Sequence, residues 1–466
     1  MKKHLPFLLI LLFLLLLHLF LLVNLRFTAW PEMFSYPFLR NNGFLIYKDM
    51  IHPYPPILTM VLSYLYKIFG YQLIILKLFT WGLILFNDVM IFLIVKFITK
   101  SIKYSVLGLM FYILIQPFLE GNMLWFDLAV VPPILLATYF CLRWLNDKES
   151  KYYLLFIGFL FTVAGLIKQT TGLFFAAFVI YCFIKKIKIS DIGYLFIGPL
   201  ILVIPLVFRL WQERALEDFI KWVIVYPFTY WNKFPGYVRM AIDAKELVVL
   251  LLLLIPLAIL FIKITKQNFK NLWFNLLIVN LLISFILIYP RFSFFHFQSA
   301  LAFLAIIYSV VLINLKKGKF LLLLLLPIYF LVILRPVFSA DWRKETRFFS
   351  KEDLSFAEKI SRSTKSSQKI YLLGLFSSLY VQANRLPPKR CFDNFGWYLE
   401  IPGVQEEILS RWEKDGPQII YWQEPQVGNW FDLGVYQPRK IIEWIHLNYN
   451  KKEKAAEKIW LWEIKK

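Results

Sequence analysis

The stretch LPFLLILLFLLLLHLFLLVNLRFTAWPEMFSYPFLRNNGFLIYKDMIHPY, residues 5–54, decides the fold. Its first 20 residues, Leu5–Asn24, are an apolar run, the length a helix needs to cross a hydrocarbon layer of roughly 30 Å. Met-Lys-Lys-His precedes it and no small-residue cleavage site follows, so a retained signal anchor is expected. After Asn24 the character changes. Arg26–Tyr54 is a polar, aromatic loop that holds Glu32 and Asp49, in a setting where a carboxylate is more than surface decoration.

The rest of the chain repeats the apolar pattern. It has 466 residues, 59% hydrophobic, and a mean hydropathy of +0.61, the composition of a polytopic helical membrane protein. Eleven spans are expected near residues 5–24, 71–98, 104–119, 122–143, 152–167, 170–185, 190–210, 247–264, 271–289, 293–314 and 319–336. The three cysteines, Cys141, Cys182 and Cys391, imply no disulfide framework.

Net charge +22 could suggest nucleic acid, but its distribution points to topology instead. Lys2 and Lys3, then Lys96, Lys100 and Lys103, Arg143, Lys148 and Lys151, Lys185, Lys186 and Lys188, Lys263, Lys266 and Lys270, and Lys316, Lys317 and Lys319 mark alternate loops. The intervening loops 118–122, 168–172 and 290–296 carry at most one cation each. The positive-inside rule then puts the N terminus in the cytoplasm and the C terminus outside, in a bacterial plasma (inner) membrane. Pro55–Gly70 is short for a crossing, opens with two prolines and contains Lys67, so it is read as re-entrant or interfacial on the external face.

The domain reading is a transmembrane part over 1–338, with an external loop at 25–70, and an extracytoplasmic α/β part over 339–466. In the latter, KIYLLG (369–374), QIIYWQ (418–423) and IWLWEI (459–464) read as strands, and Gln405–Trp412 and Pro438–Asn448 as helices. The aromatic segment Trp211–Glu246 reads as an amphipathic surface element, a sugar-stacking lid or an aromatic belt.

Polar groups concentrate in the loops placed outside. The first supplies Glu32, Tyr47, Lys48, Asp49 and His52, and the second supplies Glu120, with Asp127 just inside the next helix. The third supplies Lys168, Gln169, Thr170 and Thr171, and PRFSFFHFQ (290–298) supplies Arg291, His296 and Gln298. Cations suit a phosphate, and carboxylates suit a hydroxyl that must be activated. Each has a plainer reading. Glu32 after Pro31 could be an N-terminal helix residue, and Asp49 could pair with Lys48 or cap a segment. Lys168 could snorkel, His296 could be a packed interfacial ring, and Glu120 and Asp127 could be solvated loop acids. Asp88 beside Asn87, mid-span, reads as an interhelical hydrogen bond rather than a transport element. The sequence has no HExxH, CxxC, phosphate-loop or G-x-S-x-G motif.

Several of these residues follow a familiar order. An early acid after the first span, Gly43-x-x-x-Tyr47-x-Asp49, Pro55-Pro56 and Lys67-x-Phe69-Gly70 resemble the first external loop of membrane-embedded GT-C glycosyltransferases. The group in question is that of protein O-mannosyltransferases, the lipid A aminoarabinose transferase and RgtA/B/C/D-like enzymes. GLIKQTTG (165–172) and PRFSFFHFQ (290–298) are similar to its later motifs, and LYVQANRLPPKR (379–390) to the outer domain of bacterial members. The resemblance implies inverting transfer of a hexosyl or pentosyl group from a polyprenyl-phosphate sugar to a glycan, lipid or protein acceptor. Glu32 or Asp49 would be the base, and Lys168, Arg291 or His296 would stabilise the departing phosphate. Family members often carry an adjacent Asp-Glu pair where this chain has Pro31-Glu32, so the choice of base stays open. No cofactor beyond the lipid-linked donor is implied, a divalent ion is possible but not indicated, and membrane lipids rather than nucleic acid are the expected surroundings. Two alternatives remain, a lipid-linked glycan flippase or other transporter, and a non-catalytic membrane scaffold.

Overall fold

The computed structural model describes residues 5–146, 151–234, 238–254, 258, 272–313, 327–391, 396–424 and 438–465. They form two compact units, one from Met1–Thr28, Lys77–Pro205 and Met240–Glu345, the other from Ala29–Leu76, Leu206–Arg239 and Thr346–Lys466. The second unit therefore joins two loop segments to the C-terminal segment, where a single cut at residue 338 would have separated them.

The first unit is helical. Four helices among the described residues are long and apolar enough to cross a membrane: Phe7–Asn24, Leu73–Thr99, Phe126–Asn146 and Ile189–Gln212. Leu8, Leu9, Phe13, Leu16 and Phe20 of the first stay exposed, as side chains facing lipid do. The segments read as spans at 104–119, 152–167, 170–185, 271–289 and 293–314 appear as shorter apolar helices. Three of them contain a tight 3-10 turn, at Gln116–Phe118, Gln169–Thr171 and Phe294–Phe297. The expected spans 247–264 and 319–336 lie partly outside the described residues, and Lys148, Lys263, Lys266, Lys270, Lys316, Lys317 and Lys319 lie wholly outside them.

Small residues bring these helices together, since lipid offers no hydrophobic drive for association. A Cβ on Gly158 would come 1.9 Å from the Leu195 carbonyl oxygen, and one on Gly198 would come 2.3 Å from the Phe159 nitrogen. Helices Tyr152–Gly165 and Ile189–Gln212 therefore touch backbone to backbone through two glycines. Asp88 and His18, both fully buried, are joined by a 2.8 Å contact between Oδ2 and Nδ1, which is the interhelical bond expected at that mid-span acid.

The second unit has a four-stranded sheet in the order β1-β2-β4-β3, with β1 Ile370–Leu373, β2 Ile419–Gln423, β3 Tyr449–Ala456 and β4 Ile459–Ile464. β1 and β2 run parallel, Ile370 opposite Ile419, and the connection between them contains the helix Val404–Asp415. β4 pairs antiparallel with both β2 and β3. The helix Lys351–Ser363 opens with a capping box, the Asp353 amide donating to Ser350 Oγ and the Ser350 amide to Asp353 Oδ2. Also in this unit are helices Glu32–Asn41 and Ile57–Phe69. The latter has 13 residues, about 20 Å of helix, which is too short to span. The amphipathic segment after Trp211 folds into short turns whose Trp222 is 1% exposed, edge-on to Tyr398, and so belongs to this unit's core.

Candidate functional site

Each unit gathers polar residues around a buried aspartate. In the first unit, Asp127 sits in the first turn of Phe126–Ala129 and is 4% exposed. Its Oδ1 accepts from Lys168 Nζ at 2.6 Å, and its Oδ2 lies 3.0 Å from His296 Nδ1. Three residues from three separate segments of the chain thus form one cluster. Lys168 precedes the turn Gln169–Thr171, where the Thr171 hydroxyl donates to the Lys168 carbonyl at 2.7 Å, fixing the backbone that carries the ammonium group. His296 lies in the turn Phe294–Phe297, which is pinned by Glu120: its Oε2 accepts from Ser293 Oγ at 2.7 Å and from the Phe295 amide at 3.2 Å. Glu120, exposed and with a positive φ of 52°, therefore anchors the loop that carries His296. Gln116 adds a second tie, donating to the Gly121 carbonyl at 2.9 Å and to Gln298 Oε1 at 3.1 Å. Arg291 starts the same loop, its amide bonded to the Ile288 carbonyl at 3.2 Å.

In the second unit, Glu32 is the first residue of the helix Glu32–Asn41 and is 3% exposed. The helix N-terminus favours a carboxylate there. Around it Phe34 stacks on Tyr66 at 5.3 Å, Trp30 packs on Phe348 at 5.3 Å, and Ser35 Oγ meets Ser377 Oγ at 2.9 Å. Asp49, 17 residues on by number, is held differently. Its Oδ2 accepts from the Leu45 amide at 3.0 Å and from Lys389 Nζ at 2.9 Å, and Arg411 Nη1 lies 3.8 Å from its Oδ1. Its carbonyl accepts from the amides of Arg390 at 2.9 Å and Cys391 at 3.0 Å.

Tyr47, Lys48 and His52 complete that loop. Tyr47 is fully buried at a φ of +71°, a left-handed conformation that costs a tyrosine energy. Its hydroxyl donates to the Tyr54 carbonyl at 2.8 Å, and burial holds the phenol well above its usual pKa. The Arg390 guanidinium, 2% exposed, donates to the carbonyls of Tyr47 and Lys48, and Arg411 donates to the latter at 3.2 Å. Acceptors and the carboxylates of Glu407 at 3.3 Å and Asp218 at 3.9 Å surround this buried cation, whose pKa burial lowers from its ordinary value. His52 is also fully buried. A carbonyl can only accept, so Nδ1 donates to Tyr54 at 2.7 Å, which leaves Nε2 to accept from the Thr59 hydroxyl at 2.8 Å. Burial pushes its pKa down to about 4, so it is neutral at ordinary pH.

Lys389, Arg390 and Arg411 are the site residues that sequence reasoning missed. The only signal was the PPKR end of the 379–390 stretch, which carries Lys389 and Arg390.

No protein-family model matches the sequence, and no curated protein matches it. Solved structures do. The structure of ArnT from Cupriavidus metallidurans bound to undecaprenyl phosphate superposes with a TM-score of 0.58 at 11% identity, over 99% of this chain and 98% of that one. The same protein in its apo state gives 0.58 and 11%, over 99% and 97%. The Archaeoglobus fulgidus oligosaccharyltransferase in its apo form gives 0.55 and 12%, over 90% of this chain and 69% of that one. The chain shares the fold of these structures. With that fold come the apolar helices of an integral membrane protein, and the resemblance read from the loop motifs agrees with it at the level of architecture.

Proposed function

We propose that this chain is an integral-membrane glycosyltransferase moving a sugar from a polyprenyl-phosphate carrier to a hydroxyl group of a glycan, lipid or protein acceptor. The observation that carries the reading is the match over nearly the whole chain to a fold solved with undecaprenyl phosphate bound. In this reading the acceptor hydroxyl gives its proton to Glu32, and its oxygen forms a bond to the anomeric carbon from the face opposite the phosphate. The bond from that carbon to the phosphate oxygen breaks, its electron pair leaves with the polyprenyl phosphate, and the sugar is inverted. Lys168 and His296, with Arg291 on the same loop as His296, stabilise the charge that develops on the leaving group. Glu32 is the first choice for the base and Asp49 the second. Asp49 accepts from Lys389 and the Leu45 amide through its carboxylate and from the Arg390 and Cys391 amides through its carbonyl, contacts that suit a structural anchor. The eleven-span topology, with the N terminus in the cytoplasm of a bacterial inner membrane and residues 339–466 outside, belongs to the same reading.

The test uses purified protein in liposomes with a set of polyprenyl-phosphate sugars and measures sugar transfer. Glu32→Gln is expected to lower kcat/KM by about 10³-fold, within the range for losing a general base, while Asp49→Asn keeps most of the rate at a temperature where it is folded. Equal transfer by wild type and Glu32→Gln would remove Glu32 from the mechanism. Movement of the carrier lipid across the bilayer without transfer would establish the flippase reading instead.

A further inference from the structure

The second unit holds a cavity of about 350 Å³ that none of the groups above uses. It is lined by the last turn of Glu32–Asn41, by the helix Ile57–Phe69 and by the helix ending at Gln212. Three cations face it, Arg40, Lys67 and Arg209, against the one carboxylate Glu213, which Arg209 Nε engages at 2.9 Å. Tyr64 shares the lining, with the Arg40 guanidinium 5.2 Å from its ring centre. Hydrogen bonds from Arg40 and Arg209 to its phenol lower its pKa from the ordinary value, a mark of positive potential at the mouth. The wall is fixed beforehand, because Asn41 Nδ2 donates to the Ser63 carbonyl at 2.9 Å and to the Tyr71 hydroxyl at 2.8 Å.

What flanks the cations gives the kind of anion. On the same helices Val61 is 43% exposed, Ile68 73%, Phe208 55% and Trp211 65%. A soluble phosphate has no use for such neighbours. An amphiphile does, its phosphate meeting the cations and its chains lying along the apolar side chains.

We propose that this cavity binds the phosphate headgroup of an anionic membrane lipid. Arg40 supplies a planar fork for two phosphate oxygens, and Lys67 supplies a point charge that reaches the headgroup from the helix end. Arg209, bonded to Glu213, adds a third cation to the lining. The site draws on none of Glu32, Asp127, Lys168 or His296, so lipid occupancy here is separate from the transfer reaction.

The full chain is placed in nanodiscs of phosphatidylcholine containing a small fraction of phosphatidylglycerol, and retained lipids are counted by native mass spectrometry. The expected result is retention of phosphatidylglycerol over phosphatidylcholine in the wild type, reduced at least about tenfold in the Arg40→Gln, Lys67→Gln double variant, since both charged donors to the headgroup are lost. Arg40→Lys, which keeps the charge, is expected to retain part of the preference, which separates loss of the site from loss of folding. A wild type with no preference overturns the proposal, and so does a double variant that keeps it. An arm in pure phosphatidylcholine with millimolar inorganic phosphate identifies the source of the anion. Free phosphate that binds there as tightly as the anionic lipid makes this a soluble-anion site and overturns the lipid assignment. Because the readout is binding, failure here leaves the transferase reading untouched.

Discussion

The two aspartate clusters differ in how much water reaches the basic side chains around the carboxylate. Around Asp127 the Lys168 side chain is 12% exposed and His296 15%. Around Asp49, Lys389 is 51% exposed and Arg411 33%. A charge shielded from solvent, as on Lys168, acts on a neighbouring phosphate with little screening, whereas half-solvated ones contribute modestly and mainly hold chain segments in place. The first cluster is thus suited to chemistry on a developing charge. The second also uses the Asp49 carbonyl to hold the Arg390–Cys391 backbone, which is the behaviour of a joint.

The sharpest way to break this contrast is Asp127→Asn. It removes the anion that positions Lys168 and His296, and is expected to lower kcat/KM for sugar transfer by about 10²–10³-fold, with a smaller proportional effect on thermal unfolding. If Asp49→Asn reduces transfer more than Asp127→Asn while both are folded, the assignment of roles is reversed.

A second test sharpens the structural side through His52. Its folded pKa of about 4 lies below the ordinary 6.5, so the unfolded chain binds the extra proton first as pH falls. Stability is therefore fully present above about pH 6.5 and declines as pH falls towards 4, by up to roughly 3 kcal/mol. Unfolding curves of wild type and His52→Gln across that interval check this, the variant being expected to show the shallower slope. Equal slopes would mean that His52 is not buried neutral.

The smallest expected effect is that of Asp49→Asn on stability, about 1–2 kcal/mol, because the Leu45 amide and two partly solvated cations lose an ionised acceptor. Added salt should narrow the gap between wild type and variant. A gap that ignores salt would place the loss in the neutral hydrogen bonds.

The apolar helices and three of the four strands were legible because their signals are local. β1 and β2 are apolar or aromatic runs buried almost throughout, and β4 is a largely apolar run that buries Leu461 and Trp462. β3 was not, since YNKKEKAA exposes most of its side chains and carries Lys451, Lys452 and Lys454. It is the edge of the sheet, where lysines discourage pairing with another chain and erase the strand pattern. The candidate site divides in the same way. Lys168 and His296 stood out because loops on their side of the chain's charge pattern are poor in lysine. Lys389 was hidden because its partner Asp49 lies 340 residues away and no periodicity links them. Trp222 looked like an interfacial aromatic for the same reason, its contacts Tyr398 and Arg390 being remote in sequence.

The guanidinium of Arg390 has a practical consequence for dissecting the protein. Cutting the chain after residue 338 would look like trimming a peripheral tail, but it would take Lys389, Arg390 and Arg411 with it. The carbonyls of Tyr47 and Lys48 would lose the Arg390 and Arg411 donors, the carboxylate of Asp49 would lose Lys389 and Arg411 while keeping the Leu45 amide, and Ser35 would lose Ser377. The loop that presents Glu32 would then be a protease-sensitive strand of chain rather than a scaffold. A shortened form that keeps all its apolar helices would still be expected to be inert.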